Sequence, residues 1–285
     1  MKIAVLSGKG GTGKTTVTSN LAVNIPGCTL IDTDVEEPNL HIFFNFKFNQ
    51  EDSIKTEYPI VDMEKCNLCG KCGDFCRYNA ILPAKDKVLI FKEICHNCGG
   101  CEIVCPTKAI QYEKREIGKI YRNNSDSSIH MKYGELNIGE MSGVRIIEKL
   151  KKSVENDPIV FIDSPPGTSC ATVAAVEDVD YAVIVSEPTP FGVSDMKMVV
   201  EMLKEMKIPF GVVVNKAGLG NNEIYKYCND ENIKVLENIP YSREIAEFYA
   251  HGVVFSKNMQ SYKELFINLF ENIKTILEPV QEGGQ

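Results

Sequence analysis

Short, nearly continuous apolar runs at 3–6, 28–31, 159–162, 181–185 and 210–214 punctuate the chain, with segments of helix length between most of them. Parallel strands covered on both faces read this way, because neither face is left to alternate with polar residues. Helices are expected over 14–24, 144–154, 193–206, 222–231, 243–251 and 262–277. Such an alternation folds through right-handed crossovers into a doubly wound, mostly parallel sheet, an α/β architecture whose ligands gather at the carboxyl ends of the strands.

One stretch breaks the rhythm. Cys66-x2-Cys69-x2-Cys72-x3-Cys76 is followed by Cys95-x2-Cys98-x2-Cys101-x3-Cys105, and the flanking residues repeat too. Asn79-Ala80-Ile81 answers Lys108-Ala109-Ile110, and Ile60-Val61 answers Leu89-Ile90, all at one constant offset. A pseudo-twofold α+β mini-domain over 59–115 is expected, inserted into a discontinuous domain made of 1–58 and 116–285. The polar residues of 116–142, with Arg122-Asn123-Asn124-Ser125-Asp126-Ser127-Ser128 among them, read as a connector back to the sheet. The few large apolar side chains of the insert make a poor core, so a bound inorganic group is expected to supply much of its folding energy.

Composition narrows the classes. With 285 residues, 44% of them hydrophobic, the chain has ample material for one large core plus a small insert. A formal net charge of −8 argues against a polyanion-binding surface, so nucleic acid is not an expected partner. No basic-then-apolar export signal opens the sequence and no apolar run is long enough to span a bilayer, so a cytoplasmic location is expected. Eight of eleven cysteines crowd into the insert, which favours metal thiolates over a disulfide framework. Zinc takes two cysteines per short knuckle, whereas here each run supplies four. Cys28 and Cys228 read as small buried hydrophobes.

A second motif set surrounds the insert. Ser7-Gly8-Lys9-Gly10-Gly11-Thr12-Gly13-Lys14-Thr15-Thr16 follows the first expected strand and opens the first expected helix, the context of a phosphate-binding loop. Glycines let backbone N–H groups close on phosphate oxygens, Lys14 reaches the β and γ phosphates, and Thr15 ligates Mg2+. Further on come Ile31-Asp32-Thr33-Asp34 and Ile159-Val160-Phe161-Ile162-Asp163-Ser164-Pro165-Pro166-Gly167, each at a strand end. Either alone could be an ordinary turn with an aspartate cap.

With Lys9, the loop has the deviant form that resembles the MinD/ParA class of ATPases, which includes the nitrogenase iron protein. The resemblance extends along the chain, taking in Ser186-Glu187-Pro188-Thr189-Pro190-Phe191-Gly192. It implies that Lys9 crosses a homodimer interface to the partner's phosphates in the ATP state, acting as an arginine finger does. It also implies that Asp34 positions the attacking water, Asp163 holds Mg2+ through water, Gly167 turns with the γ-phosphate, and Asn215 reads adenine, the alternative for Asn215 being a plain turn residue. Asp32 supports the metal shell or the loop, and Pro240-Tyr241-Ser242-Arg243 is a candidate wall of the base pocket.

The cysteine runs resemble bacterial ferredoxins. That likeness implies two 4Fe-4S clusters with crossed ligation, one on Cys66, Cys69, Cys72 and Cys105, the other on Cys95, Cys98, Cys101 and Cys76. Pro106 follows the ferredoxin pattern while Arg77 stands where a second proline would be, and His96 is expected in solvent. Cys170 lies where the nitrogenase iron protein has a cysteine on its intersubunit cluster; a buried or switch-packing cysteine is the favoured reading. The helix over 262–277 has one apolar face but a mixed-charge polar face and Pro279 beyond it, so packing on the sheet is expected rather than membrane binding.

The function expected is an ATPase in which nucleotide-dependent dimerisation gates electron transfer through the clusters to or from a protein donor or acceptor. An iron-sulfur assembly or metal-insertion ATPase and a MinD-like spatial regulator are the competing readings.

Overall fold

A computed structural model of the protein describes residues 1–124 and 129–278. In chain order the elements are β1 (Lys2–Leu6), α1 (Lys14–Asn24), β2 (Thr29–Asp32), β3 (Phe48–Val61), α2 (Lys71–Phe75), β4 (Ile81–Pro83), β5 (Val88–Ile90), α3 (Gly100–Ile103), β6 (Ile110–Asn123) and β7 (His130–Leu136). They continue with α4 (Val144–Lys152), β8 (Val160–Asp163), α5 (Cys170–Val176), β9 (Tyr181–Ser186), α6 (Pro190–Met206), β10 (Phe210–Ala217), α7 (Glu223–Asp230), β11 (Val235–Pro240), α8 (Arg243–Ala250) and α9 (Gln260–Leu277).

The apolar runs become the middle of a mostly parallel sheet of nine strands, in the order β11-β10-β9-β1-β8-β2-β7-β6-β3. β1 lies between β8 and β9 and is parallel to both. Successive residues of these strands point to opposite faces, and each face is covered. Ile3, Val5, Leu30, Phe161 and Val183 pack with Val17 and Leu21 of α1 and with Phe266, Leu269, Phe270 and Ile273 of α9. Ala4, Leu6, Ile162, Ile184 and Val214 pack with Val193, Met196, Val200 and Leu203 of α6 and Ile224 of α7. The terminal helix thus spends its apolar face on the sheet, with Phe270 edge-on to Phe161 at 5.9 Å. The expected stop at Pro279 lies outside the described residues.

Register fixes the site. β2 and β8 pair so that Asp32 stands opposite Asp163, and β1 and β8 pair so that Val5 stands opposite Asp163. The carboxyl ends of three adjacent strands therefore deliver two carboxyls and the start of the glycine loop to one place.

The stretch 116–142 is not a connector: β6 and β7 occupy most of it and extend the sheet beyond β2. Its sequence misleads because its buried apolar residues are sparse: Ile117, Ile120 and Met131 are buried, but they stand among polar residues such as Glu116, Arg122 and His130 that stay exposed. Ser125-Asp126-Ser127-Ser128 lie outside the described residues.

Contacts divide the chain into two compact units. One comprises Met1–Glu51, Ile120–Glu135 and Val144–Gln285; the other comprises Asp52–Lys119 and Leu136–Gly143. The second unit contains both cysteine runs, the antiparallel pair β4-β5 and a miniature core of Ile81, Cys101 and Ile110. Cys72, Cys76 and Cys105 pack against that core, so thiol-bearing residues take the place that large apolar side chains fill in a larger domain.

Candidate functional site

The loop from Ser7 to Gly13 joins β1 to α1, and its glycines are demanded by close approach. A Cβ on Gly8 would overlap the backbone of Asp195 at the start of α6. Gly13, the residue before α1, has φ +101°, a backbone region reserved for glycine, and a Cβ there would collide with the Asn215 side-chain amide. Gly11 has φ +80°, while Gly10 faces open space. Ser7 Oγ donates to the Lys9 carbonyl at 2.7 Å and holds the turn. Lys9 is half-buried, Lys14 and Thr16 are buried, and Thr12 Oγ1 is buried without a hydrogen-bond partner. An orphaned hydroxyl inside a glycine-rich turn is what an incoming acceptor such as a phosphate oxygen would satisfy.

Asp163 is at the centre. Thr15 Oγ1 donates to its Oδ2 at 2.7 Å and Thr18 Oγ1 to its Oδ1 at 2.8 Å. Asn39 Oδ1 lies 3.1 Å from the same Thr15 hydroxyl, so three oxygen-bearing groups converge. An all-oxygen donor set of this kind suits Mg2+. Burial pushes the Asp163 carboxyl up, while the Lys14 ammonium and the two threonine hydroxyls pull it down.

Asp32 is wholly buried and has another task. It accepts backbone N–H bonds from Asp34 at 3.0 Å, Asn39 at 3.1 Å and Leu40 at 3.0 Å, so it anchors the loop rather than the metal shell. Burial, and then the nearby Asp163 charge, hold it well above the usual carboxylate range. Asp34, on the same loop, is pushed up to about 6 by burial against the opposing pull of Lys14.

The two strand-end loops are tied to each other and to the glycine loop. Thr33 donates through both N (2.9 Å) and Oγ1 (2.8 Å) to the Asp163 carbonyl, and Gly167 N donates to the Ser7 carbonyl at 2.8 Å. At the end of β10, Asn215 Nδ2 donates to the Thr12 carbonyl at 2.7 Å, which spends one of its two N–H donors on the glycine loop. Tyr241 N donates to the Ala217 carbonyl at 3.0 Å, and Ser242 caps α8.

In the second unit, the cysteines sort into two hollows. One is lined by Cys66, Cys69, Cys72 and Cys105; the other, about 400 Å³, is lined by Cys76, Cys95, Cys98 and Cys101. Each quartet thus draws three residues from one run and one from the other. The loops carry the backbone that thiolate cages need: Leu68 and Asn97 have positive φ, as do Gly70 and Gly99 before the short helices α2 and α3. Backbone N–H groups point at the sulfurs, Ala80 to Cys76 at 3.3 Å, Asn97 to Cys95 at 3.4 Å and Ala109 to Cys105 at 3.3 Å. His96 is exposed and stacks on Tyr78 with centroids 3.6 Å apart. Among the described residues no three or more His, Cys, Asp or Glu side chains are gathered tightly enough to hold a single ion by themselves.

Cys28 and Cys228 are buried, and burial pushes their thiols up to about 12 and about 11. Of the two alternatives favoured for Cys170, the buried one is corrected: Cys170 is exposed, as the first residue of α5 after the Ser169 cap. Asn39, Thr18 and Thr33 were not anticipated. Thr18 had a signal, since it stands three residues beyond Thr15 on α1 and hence on the same face; Asn39 and Thr33 had none. No helix among the described residues is long and apolar enough to cross a membrane.

The chain is similar to several known proteins. An uncharacterised protein of Methanocaldococcus jannaschii is 33% identical over 94% of this chain and 97% of its own length. An iron-sulfur cluster carrier protein of Aquifex aeolicus is 25% identical over 97% of this chain and 68% of its own. An uncharacterised ferredoxin of M. jannaschii is 46% identical over 55 residues, 18% of this chain and 71% of its own length. The structure of the septum site-determining protein MinD from Pyrococcus horikoshii, complexed with Mg-ADP, superposes with a TM-score of 0.59 at 20% identity, covering 98% of this chain and 99% of that one, which establishes likeness of fold. Residues 3–255 match the CobQ/CobB/MinD/ParA nucleotide binding domain, and the chain belongs to that family.

Proposed function

We propose that the protein is an ATPase whose nucleotide state gates electron transfer through two resident 4Fe-4S clusters. When bound, the clusters would exchange single electrons at low potential, and Mg-ATP would supply the phosphoanhydride whose cleavage times the exchange. The observation that carries the reading is the sorting of eight cysteines into two quartets, each crossing between runs, in a chain whose strand ends also assemble a phosphate loop. Four thiolates per hollow, with backbone N–H donors aimed at several of them, fit a cube and its charge. The ferredoxin match has about the length of the inserted segment, 59–115, and supports the same assignment.

At the nucleotide, Gly8, Gly10, Gly11, Thr12 and Gly13 close around the phosphates, Lys14 neutralises them, and Thr16 follows on the first turn of α1. Thr15 and Asp163 hold Mg2+, Asp34 orients water, and Asn215 Oδ1 faces the base. Lys9 reaches the partner's nucleotide in a homodimer. Gly167 N, now spent on the Ser7 carbonyl, is the donor that a γ-phosphate would compete for, and Thr33 would pass the movement between the two strand-end loops. The redox partner is a protein, donor or acceptor, that docks on the cysteine unit.

The test is anaerobic. Iron is counted, the clusters are reduced, and the rate of electron passage to a viologen acceptor is followed with and without Mg-ATP. A change in rate or midpoint is expected; identical values in both states defeat the coupling. The names of relatives favour one second reading, in which a cluster is cargo for other proteins. Loss of iron to an apo-protein acceptor on adding ATP would select it, whereas complete four-cysteine cages favour retention.

A further inference from the structure

The two cysteine quartets are related by an internal repeat, yet one contact breaks the symmetry. Tyr112 Oη lies 3.2 Å from Cys101 Sγ. Ile110 answers Ile81 in the repeat, so the residue answering Tyr112 is Pro83, which lines the other hollow and has nothing to donate. The space is committed on both sides: a Cβ on Gly73 would overlap the Pro83 ring, and Tyr112 lines the hollow of Cys76, Cys95, Cys98 and Cys101. Backbone donors serve both quartets, Ala80 N and Asn97 N the one with Tyr112 and Ala109 N the other, where the side-chain partner of Cys105 is Thr107 Oγ1 at a longer 3.7 Å.

We infer that Tyr112 is a potential-setting residue, whose hydroxyl donates to Cys101 and makes the cluster held by Cys76, Cys95, Cys98 and Cys101 the easier of the two to reduce. This rests on the cluster reading proposed above. The physics is a difference between oxidation states. One electron from an external low-potential reductant such as dithionite raises the negative charge on the thiolates; no bond to Tyr112 forms or breaks, and the proton stays on Oη. A hydrogen bond to a sulfur is stronger when that sulfur carries more charge, so the donor favours the reduced form. The electron therefore rests on the Tyr112 side.

The test is a dithionite titration of the iron-loaded full chain, monitored by electron paramagnetic resonance, with Tyr112→Phe beside the parent. Iron content is measured first: a parent chain that takes up no iron overturns the cluster reading itself and is distinguishable from failure of the tuning. With full loading, the more positive midpoint is expected to move negative by about tenfold in the oxidised-to-reduced ratio, ~59 mV for a one-electron couple, while the other stays put. Unmoved midpoints in fully loaded Tyr112→Phe overturn the inference. Should that variant load poorly, replacing Tyr112 with 3-fluorotyrosine keeps the ring and sharpens the donor. The same midpoint is then expected to move positive, and no movement overturns the assignment.

Discussion

Gly13→Ala isolates how the phosphate loop is held in shape. Its φ of +101° lies outside what alanine accepts, a strain of about 1–3 kcal/mol. The added Cβ would also drive off the Asn215 amide, whose bond to the Thr12 carbonyl contributes about 1 kcal/mol. Together these predict a loss of about 2–4 kcal/mol, or a fall in Tm of roughly 4–16 °C for a domain of this size. Asn215→Ala alone should cost only about 1 kcal/mol. In the double variant the collision no longer exists, so Gly13→Ala retains only its backbone strain and the two changes should fail to add by about 1 kcal/mol. The assay is chemical denaturation of the four proteins, with Mg-ATP binding by calorimetry in parallel. Strict additivity would mean that Asn215 and Gly13 do not meet, and the account of the loop would be wrong.

Three further outcomes follow from the same geometry. Cys76→Ala should deplete the cluster of Cys95, Cys98 and Cys101, and Cys105→Ala that of Cys66, Cys69 and Cys72; about four irons lost per variant with the spectrum of the distant run is expected, and loss confined to the mutated run refutes crossed ligation. ATP hydrolysis should fall as pH drops through about 6, where Asp34 takes up a proton, and Asp34→Asn should be slow at every pH. The stability link has the opposite sense: burial lets the native state hold that proton more tightly than the unfolded chain, so the group's contribution is full below its ordinary value of 3.8 and lost as pH rises through about 6, seen as a Tm that declines across that window. Lys9→Ala should leave ATP binding nearly intact, abolish the ATP-dependent dimer in light scattering, and slow hydrolysis roughly 10³-fold, the low end of what a cation supplied in trans contributes.

What the sequence makes legible is what local chemistry and continuous burial dictate. The expected helix over 14–24 has the bounds of α1, because Gly13 must end the loop and the strand before it has only one place to stop. The buried central strands announce themselves because both faces are covered, whereas β6 and β7 hide because their buried apolar residues are sparse and their place is set by pairing across distant chain. Site residues divide the same way. Lys14, Thr15 and Asp163 occupy motif positions, but Asn39 reaches Thr15 only because Asp32 takes the Asn39 N–H and folds the loop back. That dependence has a consequence for switching. A loop held by three backbone bonds to one buried carboxyl can be released only as a unit, since moving Asn39 withdraws its Oδ1 from the Thr15 hydroxyl, leaving that hydroxyl to Asp163, and disturbs Asp34 at once. Movement at a nucleotide would then be all-or-none at the carboxyl end of β2, as a gate requires, instead of a graded adjustment of separate side chains.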